Sequence, residues 1–84
     1  MNKKIIETFI ITTLKNIIHN KDNEINNQTK IKNLTLDQLD YTQLIIECEE
    51  HFDILIDDAH FETLDSVDAL VNYILMETEK NIIN

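Results

Sequence analysis

Apolar residues recur at helical spacing in three stretches of the chain. Ile6, Ile10, Leu14 and Ile17 stand three or four residues apart, with Phe9 and Thr13 beside them. This spacing predicts a helix over residues 3–19. Ile5, Ile11 and Ile18 fall off the stripe, and the many β-branched residues lower intrinsic helix propensity, so this helix depends on tertiary packing. Residues 20–35 are polar and rich in asparagine, and they read as a long loop. Ile25, Ile31 and Leu34 are spaced to pin that loop to the core, which a long connection in a compact domain requires.

The second helix is predicted over residues 37–51, with Asp37 as its N-cap and Asp40 in its first turn. Tyr41, Leu44, Ile45, Cys48 and Phe52 form its apolar stripe, and Glu47, Glu49 and Glu50 lie largely off it. Ile54, Leu55 and Ile56 make a short apolar crossing. Asp57 or Asp58 then caps a brief third helix, about residues 58–63, with Ala59 and Phe61 or Leu64 turned inward. Asp65 is placed as the cap of the last helix, with Asp68 in a capping-box-like relation. Val67, Leu70, Val71, Ile74 and Leu75 give the last stripe, and residues 79–84 are expected to fray. The pattern predicts an all-α, four-helix bundle in one domain over residues 1–84, with a short third helix and a long loop after the first.

Composition narrows the function. The 84 residues include no glycine and no proline, which removes P-loops and dinucleotide-binding turns. Charge is unevenly placed. Six lysines face Glu7, Asp22 and Glu24 in residues 1–34, a net of +3, whereas Lys80 alone faces thirteen carboxylates in residues 35–84, a net of −12. Such a surface repels nucleic acid and anionic membranes and attracts basic protein patches. Lys3 and Lys4 precede an apolar run as in a signal peptide, but Glu7 and Lys15 interrupt it and no small-residue cleavage site follows. The stretch is read as the first helix of a cytoplasmic protein.

Other chemistry finds little support. His19, His51 and His60 are scattered, without the spacing of a zinc site. The single cysteine, Cys48, excludes an internal disulfide and falls on an apolar stripe, as a buried inert thiol would. A calcium loop starting at Asp22 fails, because Asn27 stands where glycine is needed and Asn33 where glutamate is needed. The carboxylates near Asp53, Asp57 and Asp58 offer weak divalent binding at most. No nucleophile–base pair stands out, and so small a domain has little room for a substrate cleft. No enzymatic activity and no metal site are expected.

The stretch Leu36-Asp37-Gln38-Leu39-Asp40 leads into a helix that ends in Glu49, Glu50, Phe52 and Asp53. With Ile56, Asp58, Leu64, Val67, Ala69, Tyr73 and Ile74 downstream, it resembles the acyl carrier protein family from about residue 25 to residue 75. That family carries Asp-Ser-Leu-Asp at the start of its second helix, and a glycine where this chain has Thr35. The resemblance implies a bundle whose second-helix serine bears phosphopantetheine, holding an acyl or aminoacyl group as a thioester. It also implies an acidic second helix that docks on basic patches of biosynthetic enzymes.

Gln38 stands at the serine position in this comparison. A carboxamide cannot form the phosphodiester, so no cofactor is expected unless the natural residue at 38 is a serine or another residue is used. Thr35 and Thr42 have hydroxyls at the wrong offset from Asp37, and Ser66 has too little chain after it to begin a carrier's second helix. The expected role is a monomeric, non-catalytic binding module of fatty acid, polyketide or peptide biosynthesis. Asp37, Gln38, Leu39, Asp40, Tyr41, Glu47 and Glu50 are its predicted contact face. The alternatives are a working carrier, and a structural or regulatory subunit without acyl chemistry.

Overall fold

A computed structural model describes residues 2–18, 24–34 and 36–82. His19 and Thr35, which the sequence singles out, lie outside the described residues. Among the described residues three α-helices carry the fold: α1 (Lys3–Ile18), α2 (Gln38–Phe52) and α3 (Val67–Ile82). Among the described residues there is no β-strand, and a single antiparallel bridge joins Lys30 to Ser66.

Helix α1 starts at Asn2, whose Oδ1 accepts from Lys4 N–H at 2.8 Å while its carbonyl accepts from Ile5 and Ile6. This satisfies donors that a helix N-terminus otherwise leaves orphaned. Ile6, Ile10 and Leu14 are fully buried, so the predicted stripe is the one that packs. Helices α1 and α2 run antiparallel. Phe9 stacks on His51 and meets Phe52 edge-on at one end of the pair, while Thr13 and Ile17 lie beside Asp40 and Gln43 at the other. Helix α1 also packs against α3, and Lys3 Nζ lies 3.7 Å from Asp68.

The loop before α2 is held as predicted, with Ile25 and Ile31 buried and Leu34 half-buried. Backbone bonds add what the apolar pattern does not reveal. Val67 N–H donates to the Thr29 carbonyl at 3.0 Å and Asp68 N–H to the Asn27 carbonyl at 2.9 Å. Ala69 N–H donates to Ser66 Oγ at 3.1 Å. The first three donors of α3 are therefore satisfied, two by the loop and one by Ser66. The cap is Ser66 and not Asp65, whose backbone carbonyl instead accepts from Ile31 N–H at 2.7 Å.

The four-helix expectation needs correction. The predicted helix over residues 58–63 is one 3-10 turn, Asp58–His60, followed by turn residues. Asp57 does cap it, accepting from Ala59 N–H at 3.0 Å. Ala59 is exposed, however, and only Phe61 and Leu64 turn toward the core. A segment with so little apolar surface to bury cannot offset the cost of nucleating an α-helix, and a single 3-10 turn results. At the other end, α3 continues to Ile82, through residues expected to fray. Thr78 extends its buried face by a turn beyond Ile74, with its hydroxyl donating to the Leu75 carbonyl at 3.0 Å.

Candidate functional site: the start of helix α2

Asp37 sets this site. Its backbone is extended, and its Oδ1 accepts from Asp40 N–H at 2.8 Å, so the helix begins at Gln38. The capping bond directs Gln38 and Leu39 outward, and Leu39 is 79 % exposed. Asp40 is half-buried at the rim of a hollow shared with Thr13 and Asn16 of α1. Glu47 borders the same hollow and accepts from Gln43 Nε2 at 2.8 Å. Glu50 is fully on the outer face.

Tyr41 turns the other way. Its hydroxyl donates toward the Leu64 carbonyl at 3.1 Å and the Phe61 carbonyl at 3.4 Å. Its ring meets Phe61 edge-on, with centroids 5.4 Å apart. Burial raises the Tyr41 pKa above its ordinary value, with smaller contributions from Cys48 and Asp65. Of the seven predicted contact residues, Asp37, Gln38, Leu39 and Glu50 are therefore exposed, Asp40 and Glu47 are half-buried, and Tyr41 is committed to the interior.

The sequence reading passed over Ile46. It lies two helical turns after Leu39 on the same outer face and is 39 % exposed, with Gln43 and Glu50 beside it. Its seven-residue spacing from Leu39 was the available signal. Also unforeseen is an open groove of about 380 Å³ between the start of α2 and the segment leading into α3. Its floor is apolar, made by Ile31, Leu36, Tyr41, Phe61 and Leu64. Asp37, Gln38, Glu62 and Asp65 stand around its mouth.

The remaining candidates do not converge with this site. Cys48 is fully buried under α2, and burial pushes its thiol up to about 12, helped by Glu47 and Glu49. His51 lies against Phe9 with centroids 4.1 Å apart, and His60 lies near Tyr73. Among the described residues no group of three or more His, Cys, Asp or Glu side chains is placed to hold a metal ion, and no helix is long and apolar enough to cross a membrane.

The family profile described as "Phosphopantetheine attachment site" matches residues 8–74, across all but the ends of the fold. An acyl carrier protein of Buchnera aphidicola is 33 % identical over 78 residues, covering 93 % of this chain and 90 % of that protein. The chain belongs to the acyl carrier protein family. Another acyl carrier protein, from Clostridium acetobutylicum, is 44 % identical over 50 residues, covering 60 % of this chain and 65 % of that protein. The matched span of this carrier-family chain takes in α2 whole, most of α1 and the first half of α3, so the Asp37 cap and the groove lie inside it.

Proposed function

We propose that this carrier-family protein has given up the phosphopantetheine arm and acts as a non-catalytic docking module in fatty acid, polyketide or peptide biosynthesis. In this reading Gln38 takes the place of the attachment serine. The chemistry around it supports that. A phosphodiester needs a hydroxyl, and Gln38 offers a carboxamide. The Tyr41 hydroxyl is bonded inward to two carbonyls. Ser66 Oγ is occupied in capping α3. Thr42 is half-buried, one turn into the helix. The described residues at the start of α2 therefore do not fit the group, and no step is routed through it.

The observation that carries the docking role is the outer face of α2. Leu39 and Ile46 are exposed two turns apart, with Glu50 beside them and the acidic half of the chain around them. Carboxylates steer a basic partner and set its orientation, while a desolvated apolar anchor supplies much of the contact energy. The module works as a cytoplasmic monomer, and its partner is a biosynthetic enzyme with a basic patch, not nucleic acid or a membrane. The test is intact mass after incubation with coenzyme A and a promiscuous phosphopantetheinyl transferase. The unaltered protein should gain no mass, and Gln38→Ser should gain the arm. An adduct on the unaltered protein overturns the proposal. With a partner in hand, charge reversal at Asp40 and Glu47 should slow association, and Leu39→Ala should speed dissociation. Binding that survives all three changes moves the interface elsewhere.

A further inference from the structure

Building on the docking reading, we propose that the groove beside Gln38 receives a large apolar side chain presented between lysines or arginines on the partner protein. Three features argue for that occupant. First, the side chains of the floor have no polar demand left. The one hydroxyl on it, that of Tyr41, is bonded to the Phe61 and Leu64 carbonyls, and no buried side-chain polar atom among the described residues lacks a partner. An occupant with polar groups would lose its hydration there without recovering hydrogen bonds, so the complement of the floor is apolar.

Second, the described residues at the mouth are of one sign. Asp37, Glu62 and Asp65 border it, and among the described residues no lysine lines it. An apolar floor beneath three carboxylates selects a group that is greasy at its tip and cationic at its flanks. The mouth is exposed, so the attraction is strongest at low salt. A second copy of this chain is a poor candidate, since its net charge of −9 brings like charge to the mouth.

Third, the groove continues the proposed docking face. Gln38 stands at its rim, and Leu39, the next residue, opens the exposed row on α2. A partner lying along that row covers the mouth as well. The volume of about 380 Å³ leaves room for one large side chain.

The experiment is a titration of the 15N-labelled 84-residue chain at low salt with three hexapeptides: KKFLKK, its polar counterpart KKSSKK and its acidic counterpart EEFLEE. KKFLKK should give saturable shifts at the Leu36, Gln38, Phe61 and Glu62 amides. Each control should bind at least about tenfold more weakly, and Glu62→Lys, at an exposed position, should weaken KKFLKK about threefold. Equal binding of KKFLKK and KKSSKK overturns the proposal, because charge alone then suffices. So does a lack of shifts at millimolar KKFLKK. Shifts confined to Gln43, Ile46 and Glu50 overturn the groove and leave the docking reading intact. Groove shifts with octylammonium but not with KKFLKK would make it a small-molecule site, and groove shifts on dilution without peptide would make it a self-contact. Either outcome also overturns the proposal. The docking reading fails separately, through the mass and α2 substitution experiments.

Discussion

The Tyr41 hydroxyl donates to the Leu64 carbonyl oxygen at 3.1 Å and so fastens the first turn of α2 to the segment that leads into α3. That segment has only one 3-10 turn of its own, and this bond and the Tyr41–Phe61 ring contact tie it to α2. Tyr41→Phe keeps the ring and removes the donor, leaving two carbonyls short of a partner. The change should cost about 1 kcal/mol. In a domain of this size that lowers Tm by roughly 4–8 °C. A melting curve checks it, and an unchanged Tm would show that water replaces the hydroxyl without loss.

Ser66 and Asp65 make a paired test of which residue caps α3. Ser66 Oγ accepts from Ala69 N–H, whereas the structural bond of Asp65 is made through its backbone carbonyl. Ser66→Ala should destabilise the protein by about 1 kcal/mol, the usual cost of losing an N-cap. Asp65→Ala should cost clearly less, since it leaves the carbonyl in place. Urea unfolding of both variants settles the ranking, and the reverse order would restore Asp65 as the cap.

Cys48 predicts an alkaline limit to stability. Burial pushes the folded thiol up to about 12, with Glu47 and Glu49 adding to the shift. In the unfolded chain a thiol titrates near ~8.5. Above that pH the unfolded state releases a proton that the folded state keeps. The contribution is thus complete below about pH 8.5 and is lost as pH climbs toward about 12. The slope approaches ~1.4 kcal/mol per pH unit. Tyr41, whose pKa is also raised by burial, adds a loss of the same sign at higher pH. Urea midpoints at pH 7.5 and pH 9.5 should differ more for the unaltered protein than for Cys48→Ala. Equal slopes would mean that the thiol ionises within the fold.

Salt should stabilise the fold. Thirteen carboxylates in residues 35–84 are offset there by Lys80 alone, and Lys80 is drawn to Glu77 at 3.5 Å. Raising ionic strength from 0.01 M to 0.1 M shortens the Debye length from about 30 Å to about 10 Å and relieves self-repulsion. Tm should rise with sodium chloride and rise further with millimolar magnesium. A flat response would show the carboxylates to be too dispersed to matter.

The helices were legible because each buries a stripe whose spacing shows in the chain. Ile6, Ile10 and Leu14 in α1, and Leu44, Ile45, Cys48 and Phe52 in α2, are buried as their periodicity requires. The crossing also follows its alternation, with Ile54 and Ile56 buried and Leu55 84 % exposed. What escaped depends on backbone partners, which side-chain patterns do not encode. The Asn27 and Thr29 carbonyls dock on α3, and that decides which nearby side chain must cap it. Asp53 is a second case. It closes α2 in the left-handed conformation, φ 55° and ψ 51°, where glycine or asparagine is more usual. The ending holds because the Glu49 carbonyl accepts from Ile54 N–H at 3.2 Å and the Glu49 carboxylate accepts from Ile56 N–H at 2.8 Å. For the candidate site, the cap and the exposure of Leu39 were readable from the start of α2. The groove was not, since its walls come from segments far apart in the chain.

The bonds from Asn27 and Thr29 to α3 bear on the order in which the protein assembles. The last helix acquires its first hydrogen-bond acceptors from a loop that precedes the second helix, half the chain away. It cannot form completely as a local event, because closing that long span comes first and its entropic cost grows with the length closed. The asparagine-rich connection is therefore the clasp of the topology. Lengthening it by a residue between 27 and 31 would slip the register of the clasp and slow folding, whereas most surface loops tolerate such an insertion.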